Sequence, residues 1–192
     1  MQMQYQESVQ WCWIAVATSI NHFYNSASSW TQCAVMADVG HRLNGFDPST
    51  TVCPSSDTLS AHADLANALS NPYGSSALYI LDGYTPAAEQ EYLKSGYVGD
   101  PLATTGNFGS FQGAVVSIAA IAAEISAGRP VAVDITWPSG TQHVVAIGGL
   151  SPDAVSVLLL DPVNGRTIMK WSDFPARYNG GATINSYVFT KG

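Results

Sequence analysis

The segment QESVQWCWIAV, residues 6–16, places one cysteine between two tryptophans at the start of a predicted helix. Apolar side chains follow at close to a helical period and cover nearly every face, at positions 13, 14, 16, 17, 20, 23 and 24. We therefore predict a buried helix from Cys12 to about Asn25. Unpaired N–H groups and the macrodipole favour negative charge in the first turn of a helix. Cys12 thus lies where a thiolate would be stabilised.

Composition limits the classes of protein to which this chain can belong. Of its 192 residues, 46% are hydrophobic and 11% are charged, which is typical of one compact domain. The formal net charge of -7 argues against binding to nucleic acid or to an anionic membrane surface. No apolar run reaches the roughly 18 residues of a membrane span.

The polar N-terminus MQMQYQES lacks the basic and apolar regions of a signal peptide. Few lysines and small polar loop residues are a bias of exported proteins. We therefore expect a secreted or exported bacterial protein, with any signal or propeptide already removed.

The first half reads mainly as helical. We predict helices at residues 31–43, with Thr31 as N-cap, and at 56–70, joined by a loop that contains Cys53. Between residues 72 and 113 the signals are mixed. We predict a strand at 77–84, a short helix at 85–93 and an irregular stretch at 96–113.

The second half reads as one helix followed by strands. The helix, residues 117–128, ends at Gly128. Strand-like runs separated by turn residues then follow at 129–137, 143–150, 155–161, 166–171 and 184–191. The predicted fold class is α+β, with an antiparallel sheet. We expect a single domain, with a helical part at about 1–113 and a β-rich part at about 114–192.

A nucleophilic thiol needs a base, and one of the four histidines is suitably placed. His22 lies ten residues along the same helix as Cys12, about 15 Å away in helix rise, which is too far. Two others, His41 and His62, lie in helical patterns with no acid placed to orient them. His143 instead opens a strand, and the next strand ends at Asp161.

A carboxylate beside an imidazole fixes its tautomer and stabilises its cation. Adjacent strands can bring His143 and Asp161 together, so the sequence predicts a Cys12–His143–Asp161 triad. The charge that develops on an attacked carbonyl oxygen needs a donor as well. We expect the Gln6 side chain and the backbone N–H of Cys12 to supply this oxyanion hole.

At this point the sequence resembles the papain-like cysteine peptidases of clan CA, and most closely the bacterial AvrRpt2/staphopain-like group. The resemblance spans nearly the whole chain and rests on landmarks in the same order: Gln6, WCW at 11–13, WTQCAV at 30–35, CP at 53–54, GRPVAVDITW at 128–137, QHVVAIGG at 142–149 and DPVNG at 161–165. It implies a papain-like fold, with the active site in a cleft between a helical and a β-rich half. Papain has Asn where this chain has Asp161.

The resemblance implies a cysteine endopeptidase that acts on a protein or peptide substrate and needs no metal or cofactor. We expect a monomer. Two alternatives keep the same scaffold. A deamidase or transglutaminase-like acyl transferase would use the same triad, and a binding module would be catalytically silent.

Two further cysteines and two tryptophans remain to be explained. In an exported protein Cys33 and Cys53 would close a disulfide, whereas in a cytosolic one both would stay reduced and buried. Zinc is disfavoured, because no Cys or His pair has the usual ligand spacing. We expect Trp137 and Trp171 to lie in the core or to line the cleft.

Overall fold

The helix that carries Cys12 is the first element of the fold and is largely buried. In the computed structural model, which describes residues 1–7, 11–44 and 98–192, helix α1 spans Cys12–Tyr24. Every residue from Cys12 to Asn21 is buried. The prediction of a buried helix from Cys12 is therefore confirmed, and an amphipathic surface helix is excluded.

Three more α-helices are present in the described part of the chain. They are α2 (Gln32–Asn44), α3 (Gly99–Thr104) and α4 (Ile118–Ser126). Side-chain hydroxyls accept bonds from the first turns of two of these helices. Thr31 Oγ1 accepts from the Ala34 N–H of α2 at 3.1 Å, and Ser117 Oγ accepts from the first turn of α4. The predicted starts of these two helices are confirmed.

A six-stranded antiparallel sheet forms the second half. Its strands are β1 (Phe108–Gln112), β2 (Val131–Thr136), β3 (Gln142–Leu150), β4 (Ser156–Asp161), β5 (Gly165–Lys170) and β6 (Thr183–Thr190). The strand order is β1-β6-β2-β3-β4-β5, and every neighbouring pair is antiparallel. The predicted α+β class, helices first and antiparallel sheet second, is confirmed.

The sheet buries both of its faces. One face packs against α1 through Ala132, Val144, Ala146, Leu160 and Val188. The opposite face packs against Ile121 of α4 and against the segment between β5 and β6, which supplies Phe174 and Tyr178. Strand alternation divides the residues between the two faces. The start of β3 lies beside the end of β4. Side chains from the helical layer on one face and from the layer on the opposite face can therefore meet there.

The prediction of an irregular stretch at 96–113 is wrong. That stretch contains helix α3 and strand β1. Pro101 lies in the first turn of α3, where the missing N–H leaves no helical bond unmade. Strand β1 is rich in polar residues and Gly, but it pairs with β6 at the edge of the sheet. Tertiary pairing overrides weak local propensity here.

Other predictions fall outside the described residues. They are the helices at 56–70 and 85–93, the strand at 77–84, and the loop that holds Cys53. Among the helices at residues 11–44 and 98–192, none has the length and apolar character needed to cross a membrane.

The approach of β1 to β6 can be tested at a glycine. A Cβ at Gly109 would lie 2.6 Å from the Phe189 carbonyl oxygen, whereas a Cβ at Gly113 would meet nothing within 4 Å. We expect Gly109→Ala to lower the free energy of unfolding by about 1–3 kcal/mol, because backbone must move. The matched Gly113→Ala should change it by less than about 0.5 kcal/mol in urea unfolding. Equal effects would contradict this strand pairing.

Candidate active site

Cys12 is the first residue of α1, and its thiol is free. The residue is 8% exposed, so a small part of its surface is open to solvent. Trp11 and Trp13 on either side are buried in the same core. The thiol therefore lies at the positive end of a buried helix, between two rigid apolar side chains.

His143 lies near the start of β3, and its side chain is almost fully buried. Cys12 is among the groups that raise the pKa of His143, which puts the two side chains near each other. Trp137, just beyond the end of β2, stacks on the imidazole with ring centroids 5.8 Å apart and planes 26° apart. The ring is therefore held between an aromatic face and its polar neighbours, which limits its rotation.

Asp161 ends β4, and its side chain is fully buried. Its Oδ2 lies 3.0 Å from His143 Nε2. The same carboxylate accepts from the backbone N–H groups of Val163 (2.6 Å) and Asn164 (2.9 Å) and from Asn164 Nδ2 (3.0 Å). The Tyr178 hydroxyl donates to Oδ2 at 2.6 Å. Asp161 thus stabilises the β4–β5 turn and contacts His143 at the same time.

These contacts set the charges of the pair. Burial alone would lower the pKa of His143, but its contacts with Asp161 and Cys12 raise that pKa to about 10. Burial also opposes ionisation of Asp161, yet His143, Tyr178 and Asn164 together hold its pKa well below the usual range. At neutral pH the pair is therefore an imidazolium beside a carboxylate.

The raised pKa of His143 has a consequence for stability. A group whose pKa is higher in the folded than in the unfolded protein stabilises the fold. This contribution is complete at pH values below the pKa in the unfolded chain, which is about 6.5 for histidine. That contribution to the free energy of unfolding is lost as pH rises through about 10. The charged pair therefore persists throughout the physiological range.

Gln6 is anchored next to this pair through its backbone. Its N–H donates to the carbonyl of Pro162, the residue that follows Asp161, at 3.0 Å. Residues 8–10, which connect Gln6 to Trp11, lie outside the described part of the chain. The structure thus brings the Gln6 backbone to the β4–β5 turn, and its role as an oxyanion donor stays a prediction.

A second acid lies near His143 that the sequence analysis did not identify. Asp134 of β2 is 9% exposed and accepts a hydrogen bond from Ser186 Oγ at 3.2 Å. Burial raises the pKa of this carboxyl to about 6, while Ser186 and the positive charge of His143 lower it in part. An acid within the apolar run PVAVDITW was the available signal.

Tyr178 and Asn164 were also missed. Asn164 belongs to the turn sequence DPVNG, in which the Asp side chain commonly accepts bonds from the backbone N–H groups that follow it. Tyr178 lies 17 residues after Asp161 in an irregular segment, and nothing in its local sequence indicates the contact. Only the packing of that segment on the sheet brings the hydroxyl to the carboxylate.

The remaining candidates lie apart from the triad. Cys33 is buried on α2, and its proposed partner Cys53 lies outside the described residues. His22 Nε2 is 2.7 Å from the Trp30 carbonyl oxygen. Trp171 packs against Phe174 in the core on the opposite sheet face from α1. Within residues 1–7, 11–44 and 98–192, no group of three His, Cys, Asp or Glu side chains is placed to hold a metal ion.

A cysteine at a helix start, near a histidine–carboxylate pair, supplies the groups that thiol-based acyl transfer needs. A model of the Peptidase_C39 like family matches residues 1–183, and the chain belongs to that family. This family match confirms the predicted relationship to the papain-like cysteine peptidases.

The fold is similar to the crystal structure of the Pseudomonas avirulence protein AvrPphB, over 93% of this chain and 92% of that chain, at 14% identity and a TM-score of 0.35. No curated protein matches the sequence.

The hydroxyl of Tyr178 offers a test of how Asp161 is held. We expect Tyr178→Phe to lower the free energy of unfolding by about 1.5–3 kcal/mol, because a buried carboxylate loses a charge-assisted hydrogen bond. Urea unfolding at pH 7.5 would measure this change.

Tyr187 is a matched control for this variant. It is equally buried in the same core, and burial alone raises the pKa of its hydroxyl, with no hydrogen bond to a described group among the causes. Tyr187→Phe should therefore be nearly neutral. Equal losses in the two variants would show that the Tyr178 contact with Asp161 contributes nothing specific.

Proposed function

We propose that this protein is a cysteine endopeptidase with Cys12 as nucleophile, His143 as acid and base, and Asp161 as the group that orients His143. The observation that carries the proposal is the chain of contacts from Cys12 to His143 to Asp161, made by side chains on three separate elements. Membership of a peptidase family supports the reaction class.

Cys12 and His143 would have separate roles in the reaction. Cys12 Sγ, as a thiolate beside the His143 imidazolium, attacks the scissile carbonyl carbon and forms a C–S bond. His143 gives its proton to the leaving amine as the peptide C–N bond breaks, which leaves a thioester on Cys12. His143 then takes a proton from water, and the resulting attack releases the carboxylate product and the free thiol.

Other groups around Cys12 and His143 would assist these steps. Asp161, held by four hydrogen bonds and the contact with His143, keeps the ring oriented and its cation stable. The Gln6 side chain and the Cys12 N–H would bind the oxyanion of both tetrahedral intermediates. Trp137, stacked on the ring, would limit access of water to His143.

Alkylation of Cys12 tests the nucleophile without any knowledge of the substrate. A thiol with an ordinary pKa of about 8.5 is well under about 1% ionised at pH 6 and reacts slowly with iodoacetamide. We expect one rapid adduct on the folded protein at pH 6, seen by intact mass spectrometry and absent from Cys12→Ala. Absence of a rapid adduct would contradict an activated Cys12 and would favour the catalytically silent binding module.

The same spectra bear on the other cysteines. We propose that Cys33 and Cys53 form a disulfide in a secreted protein. The non-reduced mass should then be lower than the reduced mass by two hydrogens. Equal masses would contradict the disulfide and weaken the case for export.

The products of the reaction separate a peptidase from an acyl transferase or deamidase. With casein as substrate, we expect new N-terminal amines in proportion to enzyme and time, and none with Cys12→Ala. Release of ammonia without new N-termini would contradict the peptidase and indicate attack on glutamine side chains. The His143→Gln variant should abolish either reaction, because both need the same proton transfers.

A further inference from the structure

We propose that Gln32 is a positioning residue that holds Gln6 in the geometry needed for the oxyanion hole. This inference rests on the proposed function, because Gln6 has a donor role only if Cys12 attacks a carbonyl group. Gln32 is the first residue of α2 and is 1% exposed. A fully buried amide side chain is costly unless its polar atoms are bonded.

The Gln32 amide bonds to the backbone on both sides of Gln6. Its Nε2 donates to the Tyr5 carbonyl oxygen at 2.7 Å, and its Oε1 accepts from the Glu7 N–H at 3.0 Å. A longer contact, 3.3 Å, joins Nε2 to the Gln4 side-chain oxygen. One amide therefore bonds to the residue before Gln6 and to the residue after it, as a paired strand would.

The N-terminal segment has no regular structure of its own that could hold Gln6. Residues 1–5 form neither helix nor strand. Two other tethers fix its course. Gln4 N–H donates to Ser19 Oγ of α1 at 2.8 Å, and Gln6 N–H donates to Pro162 O at 3.0 Å. Of the described tethers, only the Gln32 side chain bonds the backbone on both sides of Gln6.

Oxyanion stabilisation is sensitive to the position of its donors. A donor contributes only when it is already aimed at the oxygen that becomes charged, and small displacements are costly. Loss of the Gln32 amide would remove one bond on each side of Gln6, to the Tyr5 carbonyl and the Glu7 N–H, and leave the Gln6 N–H bond to Pro162 in place. The Cys12–His143 contact, made by α1 and β3, does not depend on these bonds.

Two small reagents separate these effects. p-Nitrophenyl acetate acylates a thiolate through a tetrahedral oxyanion: a C–S bond forms, the ester C–O bond breaks, and p-nitrophenolate leaves. Iodoacetamide alkylates the same sulfur by displacing iodide, and no oxyanion forms. The ratio of the Cys12 acylation rate to its alkylation rate therefore reports on the oxyanion hole alone.

We expect Gln32→Leu to lower this ratio by about 10-fold, with the alkylation rate changed by less than about twofold. In a Gln6→Ala background the added loss should be under about twofold, because the two residues act as one unit. If Gln32→Leu does not fold, Gln32→Glu takes its place, because it keeps the acceptor for Glu7 N–H and loses the donor to Tyr5 O.

Gln112→Leu is the matched control. Gln112 lies on β1, where its amide bonds Ser110 Oγ at 2.9 Å, and its substitution should leave the ratio unchanged. An unchanged ratio in folded Gln32 variants would overturn the inference, as would an equal loss in both reactions or fully additive losses with Gln6→Ala. Failure of the proposed function looks different, because the wild-type protein would then show no rapid alkylation of Cys12.

Discussion

The contact between His143 and Asp161 is the interaction on which the rest of the site depends. Both groups are buried and charged, and a buried charge is tolerated only when it is paired and hydrogen-bonded. The four hydrogen bonds to Asp161 come from the turn that follows it and from Tyr178 in a later segment. The carboxylate thus remains ionised in the interior and holds a cation at the start of β3.

The fold explains how these groups meet. Helix α1 packs on one face of the sheet, so its first residue reaches the edge formed by the start of β3 and the end of β4. Trp137 and Tyr178 come from the opposite layer. The Trp137 ring stacks on both His143 and Tyr178. Cys12 and His143 therefore approach from different elements, and neither depends on a flexible loop. Rigid elements of this kind hold reacting groups at a fixed distance.

Much of this arrangement could be predicted from the sequence, because its signals are local. The helical period after Cys12, the strand that His143 opens and the strand that Asp161 ends are all patterns within one element. The residues that contact Asp161 were harder to predict. Asn164 follows from turn chemistry, but Tyr178 reaches the carboxylate only through the packing of the segment between β5 and β6. The role of Gln32 could not be predicted either, because its sequence context is that of an ordinary helix residue. Its hydrogen-bond partners lie in the N-terminal segment, far away along the chain. Strand β1 was missed because pairing with β6, rather than its composition, makes it a strand.

The charge state of the His143 ring tests the central claim most directly. Nitrogen-15 NMR of histidine-labelled protein, with His143 assigned by its loss in His143→Gln, would follow protonation of both ring nitrogens between pH 5 and 9. We predict two protonated nitrogens throughout this range, because the pKa of His143 is raised to about 10. In Cys12→Ala that pKa should fall, since one of the contacts that raise it is removed. A His143 ring that loses a proton near its ordinary pKa of about 6.5 in the wild-type protein would contradict the imidazolium and, with it, the proposed ion pair with Cys12.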